Sequence, residues 1–157
     1  SARRSRARDR VRPCAREQWP AMHAIPPPFV RHSDSPRDTT TLEDVRRWHI
    51  DPHRPGGPLD EVGYHFIIEG YGRLRFGRHI RWVGAHSVPN SAKLGCCLTG
   101  DNTDPLERWS SDQLATLRLL VLSLRFVIPD LIVIGHRDDQ LPGKTECPGL
   151  ELAALNL

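Results

Sequence analysis

The amino-acid sequence predicts an α/β (α+β) fold in which helices flank a central mixed β-sheet. Three observations predict this class. β-rich segments recur at residues 29–32, 64–68 and 94–99. A helical apolar period runs over residues 110–126, and the apolar run at 131–134 is suited to a strand buried on both faces. Strands mixed with helices around a buried strand are typical of a sheet covered by helices.

Charge divides the 157-residue chain into an arm and a body. Residues 1–17 carry seven arginines against two acidic residues, whereas the rest carries 15 basic and 17 acidic groups. We interpret residues 1–28 as an Arg- and Pro-rich N-terminal arm and residues 29–157 as one domain. The arm is either a disordered terminus or an attachment segment for a polyanion or a larger assembly. A nucleic-acid partner is expected, if at all, only through the arm, because the body is mildly acidic.

The first half of the body alternates strands, a helix and turns. A strand is predicted at 29–32, followed by a helix from a Thr40–Glu43 capping box to about residue 50. A Pro- and Gly-rich loop follows at 51–62. The next elements are a hairpin of 64–68 and 73–76, joined by the turn 69–72, and a strand at 94–99. His65 alternates with Tyr64, so we expect its side chain in the core. We expect His49, at the end of the helix, on the surface.

The second half carries the clearest helix signal. Ser110 and Gln113 have the spacing of a capping box. Leucines and a valine then follow the spacing of one helical face, at positions 114, 117, 121 and 124. The strand at 131–134, a polar loop at 135–148 and a short C-terminal helix complete the prediction.

Side chains that can bind a metal ion lie at or near the ends of predicted strands. His32 ends the first predicted strand, His136 follows the last, and Cys147 comes eleven residues later. Two imidazoles and a thiolate are good zinc ligands, and three protein ligands leave the fourth tetrahedral position to water. The four cysteines form no C-x-x-C pair and are expected to be reduced or metal-bound. With eight histidines in the chain, spacing alone leaves a capping or solvent-facing role open for each.

Five short motifs, in order, resemble those of the zinc N-acetylmuramoyl-L-alanine amidases, the type-2 amidases that include phage endolysins and peptidoglycan recognition proteins. The resemblance runs from about residue 29 to 155. The motifs are Arg47-Trp48-His49, Gly63-Tyr64-His65-Phe66, Val83-Gly84-Ala85-His86, Leu94-Gly95-Cys96-Cys97-Leu98, and a C-terminal signature of Gly135-His136-Arg137-Asp138 with Thr145-Glu146-Cys147-Pro148-Gly149.

The resemblance implies a zinc site and a set of residues around it. It places the zinc ligands at His32, His136 and Cys147, and a catalytic tyrosine at Tyr64. Thr145 matches a position that assists catalysis, and the adjacent Lys144 is a possible substitute. Beside these, His86 and Asn90 are candidates for substrate-binding residues that line the groove, or are otherwise loop residues, and Arg137 is a further substrate-binding candidate.

Two residues depart from the family pattern. The residue before the first histidine is usually aliphatic in the family and is Arg31 here. Asp34 lies two residues from the expected ligand His32, where it would either orient the imidazole or cap a turn.

The implied function is hydrolysis of the amide between N-acetylmuramic acid and L-alanine in peptidoglycan, by zinc-activated water. The alternative is a non-catalytic peptidoglycan-binding or structural component, for example of a phage particle, on the same fold. Membrane insertion is not expected, because mean hydropathy is −0.47 and no apolar run approaches the ~20 residues of a spanning helix. No apolar segment follows the basic N-terminus, so we expect no signal peptide. The protein would stay in the cytoplasm until lysis, a holin or delivery in a particle brings it to the cell wall.

Overall fold

The computed structural model describes residues 28–87, 90, 93–139 and 146–155. Most of the N-terminal arm lies outside these residues. Five strands and three helices are present in the described ranges, and a 3-10 turn follows at Leu152–Leu155. They are β1 (Pro28–His32), α1 (Leu42–Ile50), β2 (Phe66–Ile68), β3 (Leu74–Phe76), β4 (Leu94–Leu98), α2 (Ser111–Val127), β5 (Ile134–Gly135) and α3 (His136–Asp139).

The strands form one mixed sheet in the order β3-β2-β4-β1-β5. β1 runs parallel to β4 and β5, β2 runs parallel to β4, and the hairpin partner β3 is antiparallel to β2. All five residues of the central strand β4 are buried. The predicted mixed sheet with flanking helices is confirmed.

The sheet has a separate apolar cluster on each face. One cluster contains Leu117 and Val121 of α2 packed on alternate residues of β1, β2 and β4. The other contains Leu42 and Val45 of α1 packed with Tyr64 and the remaining strand residues. A strand turns successive side chains to opposite faces, so the cluster to which a side chain belongs shows which face it occupies.

The capping box of α1 is one residue later than predicted. Thr41 is the N-cap, and its side chain accepts the N–H of Asp44, while the Asp44 carboxylate accepts the N–H of Thr41. The N–H of Thr40 is used instead in a turn that closes on the carbonyl of Pro36. The prediction of Thr40 as N-cap was therefore wrong by one position, since the preceding turn decides where the helix begins.

The capping box of α2 is confirmed, and it reaches further than the sequence indicated. Ser110 accepts the N–H of Gln113, and the Gln113 side chain accepts the N–H of Ser110. The Gln113 amide also donates to the carbonyls of Ile68, at 3.1 Å, and Thr99, at 2.7 Å. This fully buried side chain therefore joins the helix to the ends of β2 and β4.

The last strand differs from its prediction. β5 contains only Ile134 and Gly135 and lies at an edge of the sheet. Leu131 is buried, but Ile132 is 65% exposed, so the run 131–134 is not a strand buried on both faces. The N–H of Leu131 bonds the carbonyl of Ile128 in a turn after α2, which removes it from any strand ladder. The predicted loop after β5 also begins with a helical turn, α3.

The core position of His65 is confirmed. Its side chain is 2% exposed, Nδ1 accepts the N–H of Gly95 at 2.9 Å, and Nε2 lies 2.8 Å from the carbonyl oxygen of Trp82. Within the described residues, no helix has the length and apolar composition needed to cross a membrane.

Candidate functional site

β1 turns Arg31 and His32 to opposite faces of the sheet. Arg31 pairs in register with Cys97, which packs with Tyr64 in the cluster on the α1 face. His32 pairs with Leu98, which belongs to the cluster on the α2 face. The two neighbouring side chains therefore enter two different environments.

Arg31 lies among four of the residues that the sequence analysis selected, and we call these five residues the Arg31 cluster: Arg31, Tyr64, His86, His136 and Cys147. Nη2 of Arg31 lies 3.0 Å from Nδ1 and 2.9 Å from Nε2 of His136. Nη1 donates to the backbone carbonyl of His86, and the guanidinium also bonds the thiol of Cys147. A guanidinium only donates, so the imidazole meets it with a nitrogen lone pair.

Tyr64 forms an aromatic wall of the cluster together with two histidines. Its side chain is 8% exposed, and its ring lies 6.1 Å from the ring of His86, nearly parallel to it. The ring of His49 lies 5.4 Å from the ring of Tyr64 and is tilted to it by 39°. Burial raises the pKa of the Tyr64 phenol well above its usual value, so the hydroxyl stays protonated and can donate a hydrogen bond.

Two glycines make room for the ring of His86. A Cβ on Gly95 would lie 2.7 Å from Cγ of His86, and a Cβ on Gly84 would also collide with that ring. Burial and the nearby charge of Arg31 lower the pKa of His86 to about 3. His86 is therefore neutral at physiological pH.

Cys147 lies against the backbone of β1. Its Sγ accepts the N–H of His32 at 3.4 Å, and its carbonyl accepts the N–H of Arg137 at 2.7 Å. Burial raises the pKa of the thiol, and the hydrogen bonds and positive charge of Arg31 and the His32 backbone oppose this only in part. The cysteine is thus held as a buried thiol at the end of β1.

The imidazole of His32 lies in a separate group on the α2 face. Its ring is 6.4 Å from the ring of Trp109. One ligand atom each of His32, Asp34 and Asp101 lie within 4.8 Å of one another, a group that could hold a metal ion. Burial lowers the pKa of His32, and the two carboxylates partly offset that shift.

These positions do not fit a zinc ion held by His32, His136 and Cys147. Only the backbone N–H of His32 reaches Cys147, while its imidazole faces Asp34 and Asp101. The side chain that stands beside His136 and Cys147 is Arg31, whose guanidinium has no lone pair for a metal. We therefore derive no catalytic step through zinc at this set.

Comparisons with known proteins establish the family. The family model of N-acetylmuramoyl-L-alanine amidase matches residues 26–150. The chain belongs to this amidase family. The family resemblance predicted from the motifs is confirmed, and with it membership of a group of peptidoglycan hydrolases that includes phage endolysins.

Individual relatives of this amidase-family chain include curated proteins similar in sequence and solved structures with the same fold. The endolysin of Klebsiella phage KP32 is 31% identical over 115 residues, which cover 71% of each chain. Peptidoglycan-recognition protein SC2 of Drosophila melanogaster is 32% identical over 118 residues, 72% of this chain and 59% of that protein. Among solved structures, the endolysin amidase LysCS of Clostridium intestinale has a TM-score of 0.67 at 23% identity, covering 88% of this chain and 87% of that one, and shares the fold.

Four further candidate residues were predicted for the site, and two of them, Asn90 and Arg137, lie in the described part of the chain. The Asn90 side-chain oxygen accepts the N–H groups of His86 and Ser87, so Asn90 closes the loop that carries His86. Arg137 donates to the carboxylate of Glu151 at 2.6 Å. The two candidate catalytic residues near the signature cysteine, Thr145 and Lys144, lie outside the described residues.

The sequence motifs of this amidase-family chain did not identify two residues at or beside the Arg31 cluster, namely Arg31 itself and His49. Arg31 was noted only as a departure from the family pattern, although strand alternation after the buried Val30 indicates that Arg31 and His32 face opposite ways. His49 was expected on the surface, but its Nδ1 accepts the N–H of Gly63 at 2.8 Å beside Tyr64. Burial and nearby arginines lower the pKa of His49 to about 4.

Proposed function

We propose that this chain acts on peptidoglycan, and that the Arg31 cluster receives the amide junction between N-acetylmuramic acid and L-alanine. One observation carries the proposal. Tyr64, His86, His136 and Cys147, which come from three separate sequence motifs, lie around one guanidinium on one face of an amidase-family sheet. The junction offers an amide carbonyl, and the protonated Tyr64 hydroxyl and the guanidinium are donors suited to it.

Hydrolysis of that amide is the reaction that family membership favours. Two of the three expected zinc ligands, His136 and Cys147, lie on the same face as Tyr64, which supports this candidate. Zinc, when bound, would supply an activated water and polarise the carbonyl. The reaction would need a third ligand at the place where Arg31 stands.

Binding without hydrolysis is the second candidate, and Arg31 favours it. A guanidinium beside His136 and Cys147 still offers hydrogen bonds to a substrate, but it supplies no metal ligand. The binding candidate needs only the donors and the aromatic wall.

One experiment addresses both candidates. The purified chain is mixed with insoluble peptidoglycan, and the sedimented protein and the newly released amino groups of stem peptides are both measured, with and without a zinc chelator. We expect sedimentation in either case, and Tyr64→Phe should weaken it, whereas the matched change at the 74%-exposed Tyr71 should not. Chelator-sensitive release would establish the amidase candidate. The absence of both sedimentation and release would contradict the proposal.

A further inference from the structure

We propose that Arg31 replaces a metal ligand in this chain, so that the Arg31 cluster excludes zinc and instead holds a carboxylate of the peptidoglycan stem. The inference rests on the proposed function and adds the chemistry of recognition. Three observations carry it: the register of β1, the contacts of the guanidinium, and the charges around it.

The register of β1 gives Arg31 the position that a third ligand would need. Val30 and His32 face the α2 side, and Arg31 alone of the three faces His136 and Cys147. Bringing the imidazole of His32 to that side requires a shift of β1 by one residue. Such a shift would also move the fully buried Val30 out of its cluster and place Arg31 in the apolar core.

The hydrogen bonds of Arg31 occupy the lone pairs of His136 and Cys147 that a zinc ion would need. Its Nη2 lies within 3.0 Å of both ring nitrogens of His136, and it also bonds the Cys147 thiol. Catalytic zinc sites have three protein ligands. Here two potential ligands face a fixed positive charge, which repels a divalent cation and competes for the same lone pairs.

Among the described residues, the charge of Arg31 has no acidic partner. In the described part of the chain, no carboxylate lies within ion-pair distance of its guanidinium, and all its hydrogen bonds there go to a carbonyl, an imidazole and a thiol. A partly buried guanidinium favours a carboxylate, because its planar array of donors matches the two oxygens. The carboxylate nearest to the muramoyl–alanine junction is the α-carboxylate of the next stem residue, D-glutamate.

Metal content tests the first part of the proposal. The wild-type protein is purified and dialysed first against zinc and then against buffer. The amount of zinc that it binds through Cys147 should be far below one ion per chain. Arg31→His should gain about one zinc per chain, and the gain should disappear when Cys147→Ala is added. Arg31→Gln removes the charge without supplying an imidazole and should gain none, with circular dichroism confirming that it folds. Zinc in the wild type that is lost in Cys147→Ala would overturn the proposal.

Ligand binding tests the second part. Calorimetry compares N-acetylmuramoyl-L-alanyl-D-glutamate having a free α-carboxylate with its α-amide. We expect wild type to bind the acid roughly 10- to 100-fold more tightly, the usual advantage of a charge-assisted hydrogen bond. Arg31→Gln should lose that preference, and Arg118→Gln, the matched change of an exposed arginine of α2 on the other face of the sheet, should keep it.

The two possible failures are distinguishable. Equal affinity of wild type for the acid and the amide, with intact peptidoglycan still bound, would overturn the role of Arg31 and leave the proposed function standing. If neither the polymer nor the soluble peptides bind, the proposed function fails as well.

Discussion

Gly95 and His86 are in contact so close that a side chain at residue 95 has no room, since its Cβ would lie 2.7 Å from Cγ of the histidine. Gly95 lies in the central strand β4, and its N–H bonds Nδ1 of His65. The backbone of β4 thus sets the positions of two buried imidazoles behind Tyr64.

Gly95→Ala should therefore destabilise the fold by about 1–3 kcal/mol, the usual cost of overpacking a core. Chemical denaturation measures the change in the free energy of unfolding. The double variant with His86→Ala provides the control, because removing the ring should recover much of the cost of the alanine. An equal cost in both backgrounds would show that the histidine is not what excludes the side chain.

Gln113→Ala should lower the free energy of unfolding by about 1–3 kcal/mol. The change leaves the buried carbonyls of Ile68 and Thr99 without the amide that bonds them, and it also removes half of the capping box. Denaturant titration checks this. Ala substitution of the exposed Asp112, on the same helical turn, is the comparison and should have a much smaller effect.

Alanine substitution of two neighbouring leucines of α2 should lower the free energy of unfolding by very different amounts. Leu117 is 1% exposed and Leu119 is 65% exposed. Leu117→Ala should cost about 2–5 kcal/mol because it leaves a cavity in the core. Leu119→Ala should cost under about 1 kcal/mol. Similar midpoints for the two variants in thermal unfolding would contradict the assignment of the Leu117 face of α2 to the core.

Stability should fall as the pH is lowered from about 6.5 toward 4. Burial lowers the pKa of His86 to about 3 and of His49 to about 4, whereas in the unfolded chain both have the ordinary value of 6.5. Between these values the unfolded chain binds more protons, so the free energy of unfolding rises with pH and reaches its full value above 6.5.

The slope of the free energy of unfolding against pH tests the contribution of His86 by itself. Each unit of pKa difference corresponds to about 1.4 kcal/mol. His86→Gln should flatten the dependence between pH 6.5 and 4, whatever it does to stability at pH 7. A dependence that is identical in His86→Gln and wild type would count against a buried neutral His86.

Local signals predicted most of the fold because they act over a few residues. The Ser110–Gln113 capping box and the hairpin between β2 and β3 were recognised correctly, since their geometry depends on neighbouring side chains and turn residues. The run 131–134 was misassigned, because an apolar segment of that length can be a central strand or a turn packed on a helix. Only packing after α2 distinguishes the two.

The sequence by itself determined the family, the mixed sheet, and the motifs that supply Tyr64, His86, His136 and Cys147. Tertiary structure alone decided which residue of β1 meets them. Motif matching favoured His32 because an imidazole is a metal ligand, but the register of β1 against β4 places Arg31 on that face and His32 on the other. A side chain's face is fixed by the pairing of distant strands, and a shift of one residue exchanges the two faces. The chemistry of this site therefore depends on a pairing that no local motif records.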